Sequence, residues 1–491
     1  MSRIENNDLT PPAGYTDASM QLLQSSTLLF LRAAVILGQN VAKRVILSRK
    51  NQALLNVFGD IAALEDFIFI STFSPLCYIT TRVAQTAGEV PFDPKKIGIV
   101  YRTGLLFSAG LAIITGMLCL TAPLIYRTAK QPASVINSSG SYFRIAFFGY
   151  LFDLIRLTEV RMLVGLSRLT PPLVVETAEC ALDVFLTYVF VMKLNMGLNG
   201  SALAYTMSSA IALVSCTLYL LLKSDFWQYE LFRFSKGVAE CQKLVSKGLH
   251  IGCSATVEYA AQFLVTFYYG LSGTTALLGM QAASVCSLAI SQPIYAISEA
   301  GSVKTANYFE RKNPAYHLLG NTTLAFSVAY ALFCGATINY FINSFASLFI
   351  NQDNFSTEYF QIVVSFIRIQ TGIELLNSVK TASASVLAAC NETGFSFSVS
   401  VAFIFFLNSL LATLSQFAFK QGPVPTYTTQ LTGFMLSAMA VGAAWHQHAK
   451  EPRNPFARGF QKVNAYLNAL WEKAPTMQLE SPRHLELTSA V

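Results

Sequence analysis

Charge is what this sequence is short of. Asp, Glu, Lys and Arg make up 12% of its 491 residues, against about 25% in an ordinary soluble domain. A water-facing surface of this size cannot be covered at that density, so a soluble globular protein is excluded. Histidine is scarce: residues 250, 317, 446, 448 and 484 are too dispersed for a metal-ligand set. The nine cysteines form no Cys-x-x-Cys pair and lie mostly in apolar stretches, where Cys behaves as a small hydrophobe. Neither a disulfide framework nor a zinc site is expected. No phosphate-binding glycine loop and no His-Glu-x-x-His pattern occurs, which argues against ATP hydrolysis and zinc-protease chemistry. No enzyme activity and no cofactor is expected. The N-terminus lacks the pattern of a cleaved signal peptide. No Lys/Arg block marks a nucleic-acid partner, so the net charge of +7 reads as membrane topology.

What is present is apolar length. Apolar residues make up 53% of the chain, and its mean hydropathy is +0.45. A membrane-spanning helix needs roughly 20 mostly apolar residues. Twelve stretches qualify, at 22–47, 53–82, 99–126, 141–166, 170–193, 198–222, 247–271, 276–303, 316–349, 357–389, 394–419 and 427–449. The aromatic, basic stretch 223–246 reads as an amphipathic interfacial helix linking two halves. The expected layout is a cytoplasmic N-terminal segment 1–21, an N-lobe 22–222, a cytoplasmic linker 223–246, a C-lobe 247–449 and a cytoplasmic tail 450–491. Loops after even-numbered spans carry more Lys and Arg, among them Lys95, Lys96, Arg168, Lys223, Arg233, Lys247 and Arg311. The positive-inside rule then places both termini and the linker in the cytoplasm. A multi-pass plasma membrane protein is expected, in the inner membrane if the source is bacterial.

The halves repeat. Thr81-Arg-Val-Ala-Gln-Thr86 matches Val303-Lys-Thr-Ala-Asn-Tyr308 at an offset of 222 residues, and Arg168-Leu-Thr170 matches Asn391-Glu-Thr393 at 223. Parallel repeats of six spans place a substrate site between two lobes near the bilayer midplane.

Ionisable residues inside the spans point to that site, because charge at membrane depth costs several kcal/mol. Glu258 interrupts the apolar run 248–270. Glu176, Glu179 and Asp183 are spaced i, i+3, i+7 and share one helix face. Glu374, Asn377 and Thr381 repeat that spacing in span ten, with Lys380 beside them. Gln281 and Tyr259 are the expected neighbours of Glu258, and only His250 on its own span could neutralise it. Arg32, Asp60, Glu65, Asp66, Asp153, Arg156 and Glu159 add mixed charge to the N-lobe. They either pair within the membrane or line a cavity for a charged or zwitterionic substrate. Glu176 is either turned inward or solvated at the membrane edge. Glu299, after the helix-kinking Pro293, reads as a hydrogen bonder at the kink.

Four stretches in order carry a resemblance to the MATE (multidrug and toxin extrusion) family of the MOP superfamily. Ala53-Leu-Leu-Asn-Val-Phe-Gly59 through Val83-Ala-Gln-Thr-Ala-Gly88 resembles its second span and exit. Gly197-Leu-Asn-Gly-Ser-Ala-Leu-Ala-Tyr-Thr206 resembles its sixth, Gly248 with Glu258 its seventh, and Gln281-Ala-Ala-Ser284 with Val303-Lys-Thr-Ala-Asn-Tyr-Phe309 its eighth. The resemblance covers about 20–450. It implies an all-α membrane protein of twelve helices in two pseudo-symmetric lobes. It also implies a monomeric antiporter that exports amphipathic organic compounds against a proton or sodium gradient, including multidrug efflux of xenobiotics. Glu258, Asp183, Glu179 and Glu374 would couple to the cation, and Gln281, Asn377, Tyr259, Thr187 and Lys43 would line the pocket. A carboxylate such as Glu258 can hold a proton or a cationic substrate but not both, and that competition suffices for antiport.

The departures matter. The family's span-one Asp position holds Lys43, followed by Arg44, and its span-one Pro position holds Leu28. The span-ten Asp is Asn377, with Glu374 one turn before it, and the closing Leu-Arg-Gly is Leu387-Ala-Ala389. In span five the usual Asn is Asp183 and the usual Asp is Thr187. Lys43 either pairs with Asp183, standing in for a coupling cation, or snorkels to the interface with Arg44. Two other readings stay open: a flippase for a lipid-linked oligosaccharide, which Arg32, Lys43 and Arg44 would suit, and a MATE-fold receptor or scaffold without transport.

Overall fold

The computed structural model describes residues 12, 14–128, 133–233, 238–272, 274–347 and 357–450. Residues to Trp445 form one compact unit. A second begins at His446, of which only helical residues to 450 are described, so the expected tail lies outside the described residues.

Every element among the described residues is helical. The first span is α1 (Tyr15–Lys50). The second is broken into α2 (Gln52–Phe73) and α3 (Cys77–Gly88) by a 3₁₀ turn at Ser74–Leu76. Pro75 inside that turn is the cause, since it supplies no amide hydrogen to the helix ladder. Then follow α4 (Pro94–Thr128), α5 (Ala133–Gly165), α6 (Thr170–Thr187) and α7 (Gly197–Leu222). α6 starts on Pro171 and Pro172, whose fixed φ suits a first helical turn, and runs into a π-helical turn at Tyr188–Lys193.

The second half opens with α8 (Val238–Ser272) and α9 (Thr274–Glu310). α10 (Ala315–Tyr340) and the short α11 (Ile342–Ser347) precede α12 (Thr357–Ala389). The eleventh span is α13 (Thr393–Val399) and α14 (Asn408–Thr413), continued by π-helical turns at Ser400–Leu407 and Leu414–Ala418. α15 (Pro423–Lys450) is last. Among the described residues, twelve helical spans thus stand where twelve were expected, differing at their edges. Seven helices among those residues are apolar enough to cross a membrane by length and composition alone. α5, which carries Asp153, Arg156, Glu159 and Arg161, is not among them.

The linker differs from expectation. Residues 223–246 are not one interfacial helix. Ser224–Tyr229 is a single 3₁₀ turn, and α8 already begins at Val238. Phe226, Tyr229 and Leu231 are buried and join the protein core, whereas Trp227 and Phe232 stay exposed, so one side of this segment packs inward.

The packing is polarised along the helix axes. One core cluster joins both halves at the end where α3, α9 and α12 finish, uniting Leu76, Val83 and Ala84 with Leu244, Ala300, Val303 and Ala389. This is called the linker end below. Towards the other end each half has its own core. Phe58, Ile61, Tyr142, Tyr150 and Val191 fill the N-lobe, and Ala261, Phe366, Ile404, Tyr427 and Phe434 fill the C-lobe. Two glycines of α8 allow the close approach at the linker end. A Cβ on Gly252 would lie 2.2 Å from Pro75 Cγ, and one on Gly248 2.7 Å from the Pro75 carbonyl oxygen.

Candidate functional site

In the N-lobe, α1, α5 and α6 bring the predicted charges together. Lys43 Nζ lies 3.1 Å from Asp183 Oδ2, and both side chains are buried. The predicted pairing is present, and Lys43 does not snorkel. Its ammonium also sits 5.6 Å from the centre of the Tyr205 ring, within cation–π range. Gln39 donates to the same Asp183 oxygen, and Thr187 bonds the other at 3.5 Å. Arg44, by contrast, is exposed.

Arg156 organises the remaining acids. Its guanidinium reaches Asp153 at 2.8 Å, Glu176 at 3.2 Å and Glu179 at 3.2 Å. Arg32 pairs with Glu176 from α1. Glu176 is buried and doubly paired, not solvated at the membrane edge. Tyr205 donates to Asp153 at 2.6 Å and Ser209 to Glu179 at 3.2 Å. All three acids of α6 therefore face inward, as their spacing predicted. They divide among three bases: Asp183 pairs with Lys43, Glu179 with Arg156, and Glu176 with both Arg156 and Arg32.

Intramembrane pairing does not extend to every charge. Glu159 accepts from Thr217 at 2.7 Å, and its Oε2 is buried without a hydrogen-bond partner. Glu65 accepts from Tyr150 at 2.8 Å and Tyr142 at 3.2 Å. Asp66, the next residue, is exposed. The side chain of Asp60 lies outside the described residues.

In the C-lobe, Glu258 is an ion pair. Lys380 Nζ donates to Glu258 Oε2 at 2.6 Å, and Ser400 to Oε1 at 2.7 Å. Ser254 contacts that oxygen at 3.4 Å and Ser400 at 2.8 Å. This corrects the expected surroundings. The neutralising cation comes from α12, not from α8. His250 instead stacks on Phe397 and lies 3.2 Å from Thr393 Oγ1. Tyr259 is half-exposed beside Glu258, and the side chain of Gln281 lies outside the described residues.

Glu374 is buried and held by neutral donors: Ser287, Gln370 at 2.7 Å and Asn377 at 3.2 Å. Thr381 donates to Asn377 at 3.2 Å, so the i, i+3, i+7 face is a hydrogen-bonded ladder. Tyr427 donates to Gln370 and extends the chain to α15.

Polar ties join the lobes at the linker end. Tyr78 donates to Asn391 at 2.8 Å, Gln85 to the Ala389 carbonyl at 2.8 Å, and Thr81 lies 3.3 Å from Ser302. Arg82 holds both carboxylate oxygens of Glu240, at 2.5 and 3.0 Å. Arg161 pairs with Glu299 across the lobes, so Glu299 is a tie between lobes, not only a bonder at the Pro293 kink. Asn391 has φ of +69°, in the left-handed region that Asn tolerates at a helix end. The Lys380–Glu258 pairing, Arg161 and the Arg82–Glu240 pair were missed by sequence reasoning. Lys380 had a signal, being next to the Glu374 face.

Helices throughout the described residues, two half-cores, one fused end and ionisable groups buried in each lobe are the architecture of a multi-pass membrane protein. Comparison sharpens that class. Residues 62–189 match the MatE family model. No curated relative matches the sequence. Among solved structures, the eukaryotic MATE transporter AtDTX14 superposes with a TM-score of 0.78 at 16% identity, covering 89% of this chain and 98% of that one. A multidrug resistance MATE transporter of the MOP superfamily, in an outward-facing conformation, gives 0.78 at 16%, with 92% and 99% covered. A MOP superfamily transporter from Pyrococcus furiosus, described as having a binding pocket of reverse polarity, gives 0.74 at 14%, with 89% and 97% covered. A segment of the chain matches the MatE model, and the chain shares its fold with solved MATE transporters.

Proposed function

We propose that this protein is a secondary antiporter that exports amphipathic organic compounds in exchange for a proton or sodium ion. Its lobes open alternately to the two sides of the plasma membrane, with both termini and the linker end in the cytoplasm. The observation that carries the coupling is Glu374. It is a carboxylate at membrane depth surrounded by neutral donors, an arrangement that suits reversible binding of a proton or small cation. Glu258, reachable and on the facing helix α8, takes the organic cation. Asp183 and Glu179 serve the N-lobe, with the Lys43 ammonium standing where a coupling cation would sit and Thr187 beside it. Asn377 and Tyr259 line the pocket. The multidrug resistance relative with the same fold supports this substrate class.

Transport of a fluorescent organic cation in proteoliposomes, under pH and sodium gradients imposed separately, tests the reading. One gradient should drive uptake in the wild type, and Glu374→Gln should remove the gradient dependence. Uptake indifferent to both gradients would sink the antiport assignment and favour a receptor or scaffold.

A further inference from the structure

We propose that Lys380 is a resident counter-cation that a transported organic cation must displace from Glu258, and that it thereby sets which cations the site accepts. The inference rests on the reading that the C-lobe site takes organic cations.

The two members of the pair are unequally reachable. The Glu258 side chain is 21% exposed and that of Lys380 only 6%. An incoming cation therefore meets the acid first, with the lysine behind it. The acid is also pre-set for a cation. Ser400 holds its second oxygen, so the carboxylate keeps its orientation when Lys380 leaves. The ammonium has somewhere to go, because it already lies 5.7 Å from the centre of the Phe434 ring and can remain over that face. Tyr259 and Tyr295 stand half-exposed within electrostatic reach of Glu258 and offer aromatic walls to an apolar body.

The magnitude follows from population arithmetic. A ligand that needs the open pair binds with its intrinsic affinity multiplied by the open fraction. Minor states of this kind are populated at about 0.1–10%. Removing the competitor should therefore tighten binding at least about tenfold. Arginine should compete harder than lysine, because its planar fork matches both carboxylate oxygens.

The test is an ethidium titration of the purified full-length protein, read by fluorescence anisotropy, on wild type, Lys380→Met, Lys380→Arg and Glu258→Gln/Lys380→Met. Lys380→Met should bind at least about tenfold tighter, Lys380→Arg weaker than wild type, and the double variant should lose the gain. The proposal is overturned if Lys380→Met binds no tighter than wild type. Should that variant fail to fold, Lys380→Arg, which keeps the charge, decides alone: affinity equal to or above wild type overturns it. Ethidium binding by none of the proteins overturns both this inference and the organic-cation reading. Wild-type binding with unchanged variants overturns only the role of Lys380.

Discussion

Lys43 and Asp183 neutralise one another in a place where neither could stand alone. Asp183 is fully buried, and its other partners, Gln39 and Thr187, bring no charge. Removing one member of a buried pair strands the other, at a cost of about 3–5 kcal/mol, whereas replacing both with neutral residues is often tolerated. Lys43→Met is therefore expected to lose about 3–5 kcal/mol of stability, and Lys43→Met/Asp183→Asn to recover most of it. Denaturant unfolding in detergent, followed by tryptophan fluorescence, measures both. If the double variant is no more stable than the single, the two residues do not act as a pair. This pair was legible in the sequence, because a lysine at a position expected to be acidic invites a search for an unexpected acid nearby. Lys380 was not legible in the same way. Its partner depends on how α8 and α12 are rotated against each other, and neither helix's sequence encodes that rotation. Arg156 was read as part of a mixed-charge stripe, but its reach to three acids at once needed the packing of α6 on α5.

At the scale of the elements, helical periodicity carried most of the information. The faces of α6 and α12 were given by spacing, and both hold. Boundaries were less legible. The amphipathic look of 223–246 came partly from Phe226 and Tyr229, which are core, while Trp227 and Phe232 are exposed; a Phe- and Tyr-rich segment reads alike whether it lies on lipid or on protein. The break at Pro75 was also missed, and it has a structural consequence. The interrupted span presents the Pro75 ring to Gly252 and its carbonyl oxygen to Gly248, a close approach that a Cβ on either glycine would block. Gly252→Ala would place a methyl 2.2 Å from that ring, and the ring cannot rotate away. The variant is expected to fold but to part the lobes at the linker end. Cross-linking of paired cysteines at Thr81 and Ser302, which face each other at 3.3 Å in the unmodified protein, would report it as a several-fold slower reaction. An unchanged rate would mean that the contact does not set the spacing of the lobes.

For the whole molecule, the two lobes share one core at the linker end and keep separate cores elsewhere, so changing shape means separating them there. Arg82 and Glu240 form the most strongly bonded of the described ties. Arg82→Ala is expected to shift the population of conformers by about ten- to a hundredfold towards one parted at the linker end, since losing a charge-assisted bond is worth about 1.5–3 kcal/mol. Spin labels on α3 and α9, with distances measured by pulsed EPR, would show a longer component growing. A single unchanged distance would rule out a gating role for this pair.

The ties themselves explain why such a shift need not disturb the fold. Tyr78, Gln85, Asn391 and Ser302 are groups that water can satisfy as well as protein can. When the lobes part, each trades one hydrogen bond for another, and the net difference is only about 1 kcal/mol apiece. For these polar groups, parting of the lobes would exchange partners rather than lose bonds. A seam that can be rehydrated group by group can close and reopen many times without the helices on either side losing their own internal order.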